Sequence, residues 1–302
     1  MGGWRGILIT WALVSGCGDA GTAQAPSGIG ERDDGAYSFF VAGHVYGKPG
    51  GDTIGLYPPF KARIPWLLEQ PGMSFGYLAG DIVRRPNGRH WDPATVDIEG
   101  LGLPIHMVVG NHDIAYEGAE GGPGLIFRAE YERRFGPTFY SSRRGEDLFL
   151  VFDSTLDHWN VSGPQLELLK DELSQGSFRN LFVFFHHVVW WRPDDRPNLR
   201  PNSWDGRSKG TPNFWTEVAP LLRSTGREVF VFAGDLGAHK KATPFSYRRD
   251  GALHLIATGM GEGTRDNCIL VEVDPDGTPR LQLVALSGDP DGLGELREPE
   301  GG

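Results

Sequence analysis

The sequence predicts an α/β fold in which strands buried on both faces deliver polar side chains to one end of a sheet. Short apolar runs without alternation, Phe39 to Ala42, Tyr77 to Ala79, Leu103 to Val109, Leu181 to Phe185 and Val229 to Ala233, read as strands of a sheet covered by helices. Amphipathic stretches of helical length lie between them. Each run then stops at a polar group: Gly43-His44, Gly80-Asp81, Gly110-Asn111-His112-Asp113, His186-His187 and Gly234-Asp235. Ligands collect beyond the carboxyl ends of such strands. Oxygen and imidazole donors together suit a hard or borderline metal ion.

Taken in order, the first residues carry one positive charge and a short apolar run, Gly6 to Ser15, too short to span a bilayer. They read as a signal peptide over residues 1–17. Val14-Ser15-Gly16-Cys17 resembles the lipobox of bacterial lipoproteins, which predicts lipidation of Cys17, a membrane anchor, and a location outside the cytoplasm. Residues 18–36, poor in apolar side chains, read as a flexible tether. The folded domain is expected over 37–287, and the acidic Gly/Pro-rich tail 288–302 is expected to be disordered. Of 302 residues, 39% are apolar and 11% aromatic, ample for one large core. The net charge of -10 excludes nucleic acid held by its backbone, which needs clustered cations. Of the two cysteines only Cys268 would remain after processing, in an apolar run, so it reads as a small buried hydrophobe.

Within the domain, Pro59 to Gln70 is a helix candidate, and Ile82 to Trp91 reads as a loop carrying Arg84, Arg85 and Arg89. Leu125 to Phe135 is a second helix candidate and Leu148 to Phe152 another buried strand. Ser162-Gly163-Pro164-Gln165 has capping-box spacing, opening a helix with Leu166, Leu169 and Leu173 in one stripe. Val188 to Gly210 is a long irregular segment with Trp190, Trp191, Trp204, Arg192, Arg196 and Arg200, and long loops beside a site are usually functional. Thr211-Pro212 starts a helix that turns Phe214, Val218, Leu221 and Leu222 inward and closes at Gly226. Leu253 to Ala257, Cys268 to Val273 and Leu281 to Leu286 read as strands completing a second sheet.

Strand ends reading GD, then GNHD about thirty residues later, then HH, then a Gly-led fourth block, make the chain resemble the calcineurin-like metallophosphoesterase family over roughly Tyr37 to Leu286. The resemblance implies a two-sheet sandwich flanked by helices, a pair of metals at the strand ends, and hydrolysis of phosphate mono- or diesters. Two blocks depart from it. The family's Asp-x-His is here Ala42-Gly43-His44, and its Gly-His-x-His is Gly234-Asp235-Leu236-Gly237. Both losses fall on the same metal position, which keeps only His44 and a share of the bridging Asp81. The other keeps Asp81, Asn111 and His186, with Asp235 for the missing His. A mononuclear site is the expectation, its ion Mn, Fe, Mg, Ca or Zn, divalent or trivalent.

By the same resemblance His112 lies near the leaving group with Asp113 orienting it, and an imidazole held by a carboxylate suits a general acid. His44 is left to bind metal, to meet the substrate or to satisfy local groups. His187, next to His186, is expected to point away from the site. His239 could refill the place of Gly237 but is displaced by two residues from the pattern. His90, His106, His158 and His254 read as structural. One divalent ion with Asp81 and Asp235 is close to neutral, so Arg84, Arg85, Arg192 and Arg196 are candidates for gripping phosphate. The sequence thus supports an exported, lipid-anchored metallohydrolase. The alternative is a catalytically inactive binding or scaffolding lipoprotein that kept one metal.

Overall fold

The computed structural model describes residues 35–114, 124–195, 198–203 and 211–297. The signal peptide with Cys17, most of the tether, Arg196 and Trp204 lie outside these residues. Two mixed sheets stack face to face with helices outside, an α/β sandwich. The first has strand order β11-β10-β1-β2-β3 and the second β4-β5-β6-β7-β9-β8. In the first, β1 (Tyr37–Ala42), β2 (Met73–Ala79) and β3 (Ile105–Val108) run parallel. In the second, β5 (Asp147–Val151), β6 (Leu181–Phe185), β7 (Val229–Leu236) and β9 (Leu253–Gly259) do the same.

Burial on both faces explains why these strands do not alternate. In β1, Tyr37, Phe39 and Val41 enter the core between the sheets, while Phe40 and Ala42 enter a second core under the helices. The intersheet core is largely aromatic. Tyr77 stacks on Phe184 with centroids 3.8 Å apart, and Phe184 on Phe232 at 5.2 Å. Each such ring contributes about 2–3 kcal/mol through burial.

Helices cover the outer faces: α1 (Pro58–Leu68), α2 (Gly88–Glu99), the one-turn α3 (Asn111–Ile114) and α4 (Gly124–Phe135) belong to the first sheet's side. On the other side lie α5 (Pro164–Ser174) and a π turn, Phe214–Val218, that runs into α6 (Ala219–Ser224). The expected loop after Asp81 is therefore cut short, because α2 begins at Gly88 and buries His90, Trp91 and Ala94.

Three local expectations are corrected. The strands β10 (Asn267–Val273) and β11 (Pro279–Ala285) join the first sheet, antiparallel, rather than completing the second. Pairing Tyr37 with Val273 covers the free edge of β1, and β10 is itself buried on both faces. Ser162 does not cap α5. Its hydroxyl donates to Asp157 Oδ2, and Gln165 instead brackets Asp153, accepting from its N–H and donating to its carbonyl. Two strands escaped the sequence reading, β4 (Tyr140–Arg144) and β8 (Ser246–Asp250). They are the edges of the second sheet, and edge strands carry charge that hides their pattern. The tail is placed as far as Arg297. Pro290 accepts from Ala285 N–H, and Leu293 and Leu296 pack on the intersheet core.

The sheets touch most closely at the carboxyl ends of the central strands. A Cβ on Gly234 would lie 1.8 Å from the Ala79 oxygen, and one on Gly43 2.3 Å from Gly234 Cα. Backbone meets backbone there, so side chains from the strand ends of both sheets meet too.

Candidate metal centre

Four side chains converge where β2, β3, β6 and β7 end. His186 Nε2 lies 3.1 Å from Asn111 Oδ1, 3.3 Å from Asp81 Oδ1 and 3.9 Å from Asp235 Oδ1. Atoms bound to one ion at about 2.0–2.3 Å sit roughly 3–3.7 Å from one another, so this spacing fits an ion between them. Asp235 Oδ1 is buried and has no hydrogen-bond partner among the described residues, an orphan oxygen aimed at the same point. Its other oxygen accepts from Ser203 N–H at 3.1 Å. His186 donates from Nδ1 to the Ala79 carbonyl at 3.0 Å, which leaves Nε2 as the ligand atom.

The local backbone explains how these groups reach the cleft. Asp81 and His44 sit at φ +54° and +55°, in the left-handed region. Such residues cost about 1 kcal/mol or more each, and they throw their side chains sideways off the strand ends. Gly80, at φ +81°, leaves room for His186, whose Nδ1 would be 2.4 Å from any Cβ there.

The neighbouring position is different. His44 Nε2 approaches Asp81 Oδ2 at 3.5 Å, and its Nδ1 donates to the Met260 carbonyl at 3.2 Å. Ala42 turns into the core under the helices. Gly237 holds φ +70°, and a Cβ on it would lie 2.8 Å from the Gly259 carbonyl carbon, so no side chain fits there. Tyr46, which the sequence reading passed over, fills the gap instead. Its ring lies 4.3 Å from that of His44 and 5.1 Å from that of His112. Only its place two residues after His44 hinted at this.

Electrostatics separate the two positions. Burial lowers the His186 imidazole, but Asp81 above all, then Asp235 and the Ala79 carbonyl, outweigh it and raise the pKa to about 10. Burial lowers His44 to about 4, with Asp81 pulling only partly back and His112 and His186 adding to the fall. Asp81 is buried, yet His186, His112 and His44 hold it below the usual carboxylate range. Burial, with Asp81 beside it, raises Asp235 to about 6. Burial and the charges of Asp81 and Asp235 keep the Tyr46 phenol protonated.

The remaining predicted residues fall into place with corrections. His112 donates from Nδ1 to the Arg84 carbonyl at 3.0 Å, so this carbonyl, rather than Asp113, orients it. Asp113 accepts from Ile82 and Val83 N–H on one oxygen and from Gly110 N–H on the other. It staples the turn after β2 to the turn after β3, and burial with nearby Asp81 raises it to about 7. The Arg84 guanidinium is engaged by the Gly51 carbonyl. Arg85 is exposed on the turn before α2, and Arg192 lies over the Trp215 ring, 4.3 Å from its centroid. His187 does not turn away: β6 ends at Phe185, so alternation stops before it. His186, His187 and Asp235 offer ligand atoms within 4.8 Å of one another, while His187 Nδ1 contacts Ser154 Oγ at 2.9 Å and its ring stacks on Trp159. His239 Nδ1 accepts from Lys241 N–H in its own loop.

Comparison with known proteins shows the family and the fold. Residues 51–217 match the family model for calcineurin-like phosphoesterases. The match spans Asp81, the GNHD block and His186, and leaves out the two atypical blocks at His44 and Asp235. Among solved structures, a purple acid phosphatase from yellow lupin seeds superposes with a TM-score of 0.59 at 14% identity. That similarity covers 87% of this chain and 53% of the lupin chain, so the chain spans about half the length of that protein. A dimetal phosphatase from Danio rerio gives a TM-score of 0.48 at 14% identity, over 83% of this chain and 99% of the other. None of the curated proteins matches the sequence.

Proposed function

Because this chain belongs to the calcineurin-like phosphoesterase family, we propose that it is an exported phosphoester hydrolase that works with one metal ion. The observation that carries the reading is the convergence of three oxygens, from Asn111, Asp81 and Asp235, on His186 Nε2, beside a position where His44 meets the other oxygen of Asp81 with the Tyr46 ring next to it. The first four residues would hold the ion. Bound there, a metal supplies Lewis acidity toward a phosphoryl oxygen and lowers the pKa of a coordinated water.

The chain's own groups supply the rest. His112, its Nδ1–H fixed by the Arg84 carbonyl, keeps Nε2 as the ring nitrogen that would serve as proton donor for the leaving group. His44 is fixed in the same way by Met260 and is neutral above about pH 4. With the protonated Tyr46 it offers uncharged hydrogen-bonding groups where a second cation would otherwise lie. Phosphate is then held by hydrogen bonds more than by charge, which favours esters of lower negative charge.

The test is a panel of phosphate mono- and diesters run with Mn, Fe, Mg, Ca and Zn, alongside elemental analysis. One metal per chain and turnover of at least one ester class are expected. Two metals per chain would overturn the mononuclear reading, and no turnover with any combination would overturn the enzyme. The loss of Ala42 and Gly237 as ligand positions favours a second reading, an inactive binding lipoprotein. Asn111→Ala separates the two, since the enzyme would lose metal and turnover together. Export rests on residues 1–17 alone: Cys17→Ser should release the protein from membranes, and unchanged membrane fractionation would sink the anchor.

A further inference from the structure

A cavity of about 550 Å³ lies between the start of β8, the loop before it, and Arg265 and Arg297. Its wall includes Arg200, Lys241, Arg265 and Arg297, and among the described residues no carboxylate lines it. In a chain of net charge -10, the cations of this wall that no carboxylate neutralises make a local field of the opposite sign. Arg297 is shared with Glu295 at 2.7 Å, both side chains being exposed. Lys241 and Arg265 have no ion-pair partner among the described residues, and the Arg265 guanidinium lies 5.3 Å from the centre of the Phe245 ring. Phe245 and Tyr247 give the cavity an aromatic wall.

The cavity is tied to the metal centre by a continuous hydrogen-bonded wall. Arg200 N–H donates to Thr243 Oγ1 at 2.8 Å, Thr243 N–H donates back to the Arg200 carbonyl at 2.9 Å, and Gly237 N–H donates to the Thr243 carbonyl at 3.0 Å. Asn202 holds the Asp235 to Ala238 backbone, and Ser203 N–H reaches Asp235 Oδ2. Arg200 precedes Ser203 by three residues, so their Cα atoms are at most about 10 Å apart. The two places are thus near each other along the chain, and the volume is in the range of ligand pockets.

We propose that this cavity is an anion subsite, which binds a second phosphate or like anionic group carried by the substrate, with the organic body against Phe245 and Tyr247. The proposal rests on the phosphoesterase reading for the word substrate, but the anion site itself does not. Its chemistry also answers the placement of Arg84 and Arg192, which are engaged elsewhere: the positive charge lies one step farther out, on Lys241 and Arg265.

Calorimetric titration of the full-length, metal-loaded protein with inorganic pyrophosphate tests the site. Lys241→Ala/Arg265→Ala should weaken binding about tenfold or more, and Lys241→Arg/Arg265→Lys should restore it, with the melting temperature as the check on folding. Equal affinity in the wild type and the alanine variant, or no binding to the wild type at millimolar pyrophosphate, would overturn the site. The kinetic arm separates a substrate group from a free anion. For a sugar bisphosphate, KM should rise about tenfold in the alanine variant with kcat unchanged, while phenyl phosphate shows no change in either. A KM that moves equally for both esters would refute the subsite role. If neither ester is hydrolysed, the phosphoesterase reading fails, and the titration alone decides whether the cavity binds anions.

Discussion

His186 and His44 face the same carboxylate, at 3.3 Å from one oxygen of Asp81 and 3.5 Å from the other, yet their imidazoles are driven in opposite directions, to about 10 and about 4. Both are buried, so burial does not divide them. The difference lies in what else is near. His186 has the second carboxylate, Asp235, at 3.9 Å and the Asn111 oxygen at 3.1 Å. His44 has a backbone carbonyl and the rings of Tyr46 and His112. A proton is thus favoured at His186 and disfavoured at His44, the contrast on which the one-metal proposal rests.

The largest test of this contrast is to remove the shared carboxylate and then one imidazole. Asp81→Asn should abolish stoichiometric metal by elemental analysis and lower kcat/KM by about 10³-fold or more. His44→Gln should keep the metal and lose about tenfold. If His44→Gln loses its metal as Asp81→Asn does, the two positions are not distinct.

The next test uses pH. His186 must shed its proton to bind an ion, so metal affinity should rise with pH, about tenfold per unit between pH 6 and 8, with proton release seen by calorimetry in buffers of different ionisation enthalpy. The sign for stability follows. His186 and Asp235 both have raised pKa values in the metal-free fold. The contribution of Asp235 is full below its unfolded value and lost as pH rises through about 6; that of His186 is full below about 6.5 and lost as pH rises through about 10. The melting temperatures of metal-free and metal-loaded protein should therefore diverge as pH rises. A constant gap would count against a protonated His186.

The smallest test sharpens the neutral side. Tyr46→Phe should lower kcat/KM about tenfold, the worth of one hydrogen bond to a charged oxygen, with metal content unchanged. No change would leave Tyr46 a packing residue only.

Much of this was legible in the residues. Apolar runs ending in GD, GNHD, HH and GD located the strands and brought Asp81, Asn111, His186 and Asp235 to one place, because a strand buried on both faces ends abruptly where its first polar residue meets the cleft. The resemblance, rather than periodicity, gave the second sheet. What escaped depends on contacts distant in sequence. Asp113 spends its oxygens on the backbone of Ile82, Val83 and Gly110, and Arg84 contributes its carbonyl to the centre; neither partner is written in local pattern. His187 was misread because the strand stops one residue earlier than the HH pair. The β10–β11 hairpin looks equally apolar whichever sheet it joins.

The tight packing of Gly237 on Gly259 bears on how the site could be redesigned. A carboxylate at position 42 would be aimed into the core under the helices, and a side chain at 237, just past the end of β7, would meet the Gly259 backbone 2.8 Å away, so Ala42→Asp/Gly237→His should not add a second ion. One of these positions has no opening for charge and the other no opening for a side chain, so building a second ion site here would take a change of backbone as well as of side chains.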